Sequence, residues 1–150
     1  MSFGHNQVTI LLSAQLLQQI DLRRFDVRIG HGHVHRPSET YFIPDLFVVP
    51  HTRSIPRSAG EDVVDFYRDP VLLIVEVWSP STGGYDIDAK LPTYRARGDH
   101  EIWRIHPYER TLTAWRRQPD GTYAEAVHRG GTIEPIAVPG VTIDLDALFG

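Results

Sequence analysis

The run Val71-Leu72-Leu73-Ile74-Val75-Glu76-Val77-Trp78 constrains this chain more than any other. It is the most apolar segment and reads as a strand at the centre of a sheet, where both faces are covered. Glu76 lies inside it. An unpaired buried carboxylate is costly, so Glu76 must be paired, protonated, water-exposed or bound to a metal. Asp45 poses the same problem within Tyr41 to Val49, a β-branched and aromatic stretch that also reads as a strand. A period of two puts Glu76 on one face with Leu72 and Ile74, and Asp45 on one face with Ile43 and Phe47. If the two strands pair, the two acids converge.

The remaining periodicities build a sheet around that centre. His5 to Ile20 reads as a helix with Val8, Leu11, Leu12, Leu16 and Ile20 as its apolar stripe, and with Gln7, Gln15, Gln18 and Gln19 largely off it. Phe25 to Ile29 alternates as a strand. His51 to Asp62 is a loop, and Ser79 to Gly84 a turn. Asp86 to Arg97 forms a helix ended by Gly98, with Pro92 near its first turn. Strands at Glu101 to Ile105, Thr111 to Arg117 and about Thr122 to Val127 follow as a meander, and Asp144 to Phe149 closes the chain as a short capped helix. This order predicts an α/β or α+β arrangement around one mixed sheet. The 150 residues suffice for one domain, which at this size buries roughly 70% of its unfolded surface.

Composition removes several function classes. With no cysteine, disulfide frameworks, thiolate zinc sites and Cys nucleophiles are excluded, and the expected compartment is the reducing cytoplasm. No apolar run approaches the roughly 20 residues of a membrane span, and Met1 to Asn6 lacks the basic region of a signal peptide. A net charge of -4 argues against a general nucleic-acid coat protein but not against a nuclease. Of the 15 cationic residues, Lys90 is the single lysine.

Two carboxylates at neighbouring strand ends suit Mg²⁺ or Mn²⁺, hard cations that accept oxygen ligands. Phosphodiester hydrolysis uses such an ion, and benefits from a nearby cation. Lys90 follows Glu76 by 14 residues, on the next helix, and can fold back over the strand end. Its compact ammonium can orient water or neutralise a phosphate oxygen in a way a guanidinium does not. On the residues alone, a structural ion pair or a hydrogen-bonded strand end explains the two acids about equally well.

The segments Pro44-Asp45-Leu46-Phe47-Val48-Val49, Val75-Glu76-Val77-Trp78-Ser79-Pro80-Ser81-Thr82, Asp86 to Tyr94 and Glu101-Ile102-Trp103 resemble the Uma-two family of putative restriction endonucleases, whose fold is similar to that of the PD-(D/E)XK nucleases. The resemblance runs from His5 to Phe149. It implies a restriction-endonuclease-like mixed β-sheet flanked by helices with a C-terminal β-meander, and a Mg²⁺-dependent (or Mn²⁺-dependent) endonuclease acting on DNA. By resemblance Asp45 and Glu76 are metal ligands, the Val77 carbonyl is a third, and Lys90 is the catalytic lysine. The superfamily lysine sits two residues after the acid, where this chain has Trp78, so the helix is expected to supply it instead. Gln7 and His5 fall on the family's first helix, with His5 able to approach the site. Two departures accompany the match. The helix and Glu-bearing hairpin that usually precede His5 are expected to be missing, and His106 stands where an Asp is common.

Other residues carry blander expectations. His31, His33 and His35 have a spacing compatible with a transition metal, but read first as exposed turn histidines. Ser79, Ser81 and Thr82 shape the turn before the helix, and no local His and acid make a serine nucleophile. Trp103, Trp115 and Phe47 read as core or interface residues rather than base-stacking platforms. Arginines 23, 24, 28, 36, 116 and 117 serve phosphate contacts or ordinary solvated faces equally well. The competing function is a catalytically inactive nuclease fold kept as a DNA-binding or assembly module. A homodimer through the meander strands or the first helix is expected.

Overall fold

The computed structural model describes residues 4–30, 33–35, 41–42, 44–51, 66–67, 69–80 and 85–150. In chain order the elements are α1 (His5–Gln19), β1 (Phe25–Arg28), β2 (His33–His35), β3 (Tyr41–Phe42), β4 (Leu46–Pro50), β5 (Phe66–Tyr67), β6 (Leu73–Val77), α2 (Tyr85–Arg97), β7 (Glu101–His106), β8 (Thr111–Arg117), β9 (Tyr123–His128), β10 (Thr132–Ile133), β11 (Ile143–Asp144) and α3 (Leu145–Phe149). Six strands form one mixed sheet in the order β1-β4-β6-β7-β8-β9, with the apolar strand β6 inside it as its composition predicts. Only the β6–β7 pair is parallel in that sheet, and α2 is the crossover that a parallel connection requires.

Alternation along the strands sorts side chains onto two covered faces. Leu73, Val75, Val77, Trp103 and Ile105 pack with Val8, Leu12 and Leu16 of α1 and with the C-terminal Leu145, Leu148 and Phe149. Phe47, Ile74, Ile102 and Trp115 lie on the other face, where Tyr94 of α2 joins them. Phe47, Trp103 and Trp115 are therefore core residues, as expected. The glutamines off the apolar stripe of α1 clamp the C-terminal segment. Gln15 donates to Asp144 O at 3.0 Å and accepts from Asp144 N at 2.7 Å, and Gln19 does the same with Thr142 at 2.8 and 2.9 Å. Asp144 caps α3 by accepting from Ala147 N, fulfilling the expectation of a short capped helix.

Three expectations need correction. The predicted strand Tyr41 to Val49 is two pieces, because Pro44 has no N–H to give to a ladder. Tyr41–Phe42 joins a separate sheet, ordered β3-β2-β5, and β4 begins only at Leu46. His33–His35 form the middle strand of that small sheet and not a turn, since their backbone pairs with Tyr41–Phe42 and Phe66–Tyr67. Pro92 is inside α2 and not in its first turn, so the helix forgoes the hydrogen bond to Asp88 O there. His31, Arg36, Ser81, Thr82 and, apart from His51, the His51 to Asp62 loop lie outside the described residues.

Candidate active site

The acid-bearing strand ends meet as the alternation predicts. Leu46 pairs with Val75 and Phe47 with Ile74. One step beyond that antiparallel ladder, Asp45 faces Glu76, in the bend that follows Pro44. Asp45 Oδ2 accepts from Val77 N at 2.7 Å, closing the ladder with a side chain where the backbone of β4 has run out. His5 Nε2, from the first turn of α1, donates to Asp45 Oδ1 at 3.0 Å, whereas Gln7 is exposed and takes no part.

A strand residue's N–H and C=O point to the same edge. The Val77 carbonyl therefore also faces the Asp45 side of β6, beyond the start of β4. Two carboxylates and one carbonyl at one strand end form an all-oxygen donor set of the hardness that Mg²⁺ or Mn²⁺ prefers. Among the described residues no three His, Asp or Glu side chains cluster as a metal cage. A cation here would need backbone oxygen and water besides the two acids.

Glu76 is almost completely buried, its side chain 5% exposed. Tyr94 Oη donates to Glu76 Oε1 at 2.6 Å, and Lys90 Nζ lies 3.3 and 3.4 Å from Oε1 and Oε2. Both partners come from α2, where a spacing of four puts them on one face. The sole lysine of the chain does fold back onto the strand acid. The Lys90 side chain is 12% exposed, and the two-point contact of its ammonium with Glu76 is too long to be a tight ion pair.

Sequence reasoning missed other members of this rim. Trp78 stacks on His106 with ring centroids 4.3 Å apart and planes 17° from parallel. Tyr108 stands edge-on to both rings, at 5.6 and 6.4 Å. His106 Nδ1 accepts from Glu109 N at 3.0 Å, so an imidazole shapes the turn into β8. Burial pushes the His106 pKa below its ordinary value, Glu109 opposing and Arg104 adding to the effect. The signal for this cluster was the parallel register of β6 on β7, which sequence alone does not supply.

Sequence reasoning also overlooked two acids that are more buried than Asp45. Glu101 accepts from Trp103 Nε1 at 2.7 Å, Arg116 Nε at 3.0 Å and Ile136 N at 2.8 Å. Asp99 accepts from Val71 N at 2.8 Å and Arg97 Nε at 3.0 Å. Arg116 is thus a structural cation, while Arg23, Arg24 and Arg117 are exposed. A surface groove of about 680 Å³ lined by Arg116, His128, Glu134 and Thr142 contains none of Asp45, Glu76 or Lys90.

Comparison with known proteins bears on the family and the fold. The family described as "Uma2: Putative restriction endonuclease" matches residues 1–146. The chain belongs to the Uma2 family. The crystal structure of "a putative nuclease belonging to DUF820" from Anabaena variabilis ATCC 29413 superposes on this Uma2 member with a TM-score of 0.71 and 15% sequence identity, covering 96% of this chain and 79% of that one. At that identity the likeness shows a shared fold. No curated protein matches the chain. Among the described residues, no helix is long and apolar enough to cross a membrane.

Proposed function

We propose that this Uma2 protein is a divalent-metal-dependent endonuclease of PD-(D/E)XK type that hydrolyses phosphodiester bonds of DNA. The observation that carries the reading is the contact of Lys90, the chain's only lysine, with Glu76 at the carboxyl end of a parallel strand. In open α/β sheets that is the end where ligands bind. Asp45, Glu76 and the Val77 carbonyl would hold the cation. When bound, it supplies Lewis acidity toward the phosphate oxygens and a source of hydroxide at neutral pH.

The chain's own residues do the rest. Tyr94 Oη fixes the Glu76 carboxylate by its hydrogen bond, and His5 and the Val77 N–H fix both oxygens of Asp45. Lys90, 3.3 and 3.4 Å from the Glu76 oxygens, would serve the attacking water or a non-bridging phosphate oxygen as a nearby cation. The water oxygen bonds to phosphorus, the P–O ester bond breaks, and the water's proton leaves for solvent or the departing oxygen. Ile10 and Leu17 on α1 and Val127 on β9 are exposed, which supports pairing of two copies through those faces; sedimentation of the purified chain checks it.

The deciding experiment is cleavage of supercoiled plasmid and single-stranded DNA with Mg²⁺, Mn²⁺ or EDTA, comparing wild type with Glu76→Ala and Lys90→Ala. Metal-dependent cutting lost in both variants is the expected result. Cutting that survives both substitutions, or none by any form, overturns the reading, and the latter turns attention to a non-catalytic DNA-binding or assembly role.

A further inference from the structure

The face that carries Glu76 continues across β7 as a second group of functional side chains. In the parallel register Glu76 stands beside Arg104. Trp103 and Ile105 pack into the α1 side, so Arg104 points to the Glu76 side. Its Nε is buried and finds no hydrogen-bond partner among the described residues. A guanidinium nitrogen without a partner is expensive in a folded protein, and an anion arriving beside it removes that cost.

One step along, Trp78 and His106 form the stacked pair, and Tyr108 closes the corner at right angles. Tyr108 is 52% exposed although its ring is braced by two others. Its hydroxyl lies only 3.6 Å from where a side chain on Gly4 would begin, and the next residue, His5, bonds Asp45. Acid pair, guanidinium and aromatic corner therefore border one rim of the sheet.

We propose that Arg104 and the Trp78–Tyr108 corner form a subsite for one unpaired nucleotide, Arg104 taking a phosphate next to the cut bond and Tyr108 stacking the base, so that single-stranded DNA is the preferred substrate. This rests on the nuclease reading and narrows its substrate. A base inside a duplex has both faces covered by its neighbours, whereas an unpaired base offers a π-face that can stack on an aromatic side chain. The net charge of -4 agrees, because a protein that grips a continuous duplex does so through an excess of cations along its backbone track.

The test separates binding from cutting. Fluorescein-labelled dT12 and a 12-base-pair duplex are titrated with the full chain by anisotropy in Ca²⁺ and in EDTA. The expected result is about tenfold or tighter binding of dT12, weakened about tenfold by Tyr108→Ala and restored by Tyr108→Phe, in line with base stacking. Arg104→Gln should weaken dT12 binding and lower its salt slope by about one. Quenching of tryptophan fluorescence by dT12 should disappear in Trp78→Phe. Equal affinity for the two DNAs, or unchanged dT12 binding by a folded Tyr108→Ala, overturns the subsite. Single-strand binding that persists without any cutting sinks the nuclease reading alone, and cutting that ignores Tyr108→Ala and Arg104→Gln sinks the subsite alone.

Discussion

The two ends of the β6–β7 pair both bury carboxylates, but they hold them differently. At the amino end, Glu101 is 1% exposed and receives an indole N–H, a guanidinium and backbone amides from the segment after β10; Asp99, fully buried, receives a backbone amide and Arg97. Burial raises the Asp99 pKa, with Arg97 pulling the other way. At the carboxyl end, the partners of Glu76 include a phenol and a long ammonium contact, both from one helix. An acid saturated by backbone and guanidinium donors is a fastener between elements. An acid met by the phenol and ammonium of one helix, at the open end of a strand, is the one proposed here for chemistry.

Swapping the two ends in an experiment is the sharpest way to break this contrast. Glu76→Gln keeps the shape and the Tyr94 contact but removes the charge, and is expected to abolish measurable metal-dependent cutting while thermal unfolding stays close to wild type. Glu101→Ala strands Arg116 and several buried donors, and should cost roughly 3–5 kcal/mol in urea unfolding, as breaking a buried pair does, with the remaining folded molecules cutting normally. The opposite pattern would mean that the roles of the two ends have been assigned backwards.

Lys90 sharpens the same contrast one shell out. Lys90→Ala should slow single-turnover cleavage roughly 100- to 1000-fold, within the range of a positioned proton-transfer group. Lys90→Arg should recover little, because a planar fork replaces a compact charge in a space bounded by Glu76 and Tyr94. His5→Ala touches the partner of the proposed ligand Asp45 and not Asp45 itself. It is expected to weaken Mg²⁺ activation about 10- to 100-fold, read from the metal-concentration dependence of cutting, with little change in stability.

Much of the carboxyl end was legible because its residues contradict their surroundings. An acid in a run of Val and Ile announces itself, and so does one lysine among arginines. Tyr94 did not, since a tyrosine on a helix reads as part of an apolar face until its hydroxyl is seen on Glu76. Glu101 opens its strand, where a charge usually meets water, and only the return of the chain at Ile136 buries it. The strands of the six-stranded sheet were legible from period two and turn residues, except at Pro44, where β propensity on both sides hid a break in the ladder; the two- and three-residue strands β2, β5, β10 and β11 were too short to show a period. The Trp78–His106 stack depends on a parallel register between segments joined by a whole helix. No local pattern encodes that.

The smallest expected effect lies at the rim of the carboxyl end. Burial lowers the His106 pKa in the folded chain from its ordinary 6.5, so the folded state favours the neutral ring. A depressed folded pKa makes the unfolded chain the better proton binder, and stability then rises with pH across the window. The stabilising preference is complete above 6.5 and is lost as pH falls through that value toward the lowered one. Thermal unfolding followed between pH 7.5 and 5 should show the loss in wild type and a shallower one in His106→Gln, which cannot take up the proton. Equal slopes would place the titration elsewhere and leave His106 as a spacer beneath Trp78. A shallower slope in the variant would assign that part of the pH dependence to the buried imidazole at the carboxyl end, apart from the acids that fasten the amino end.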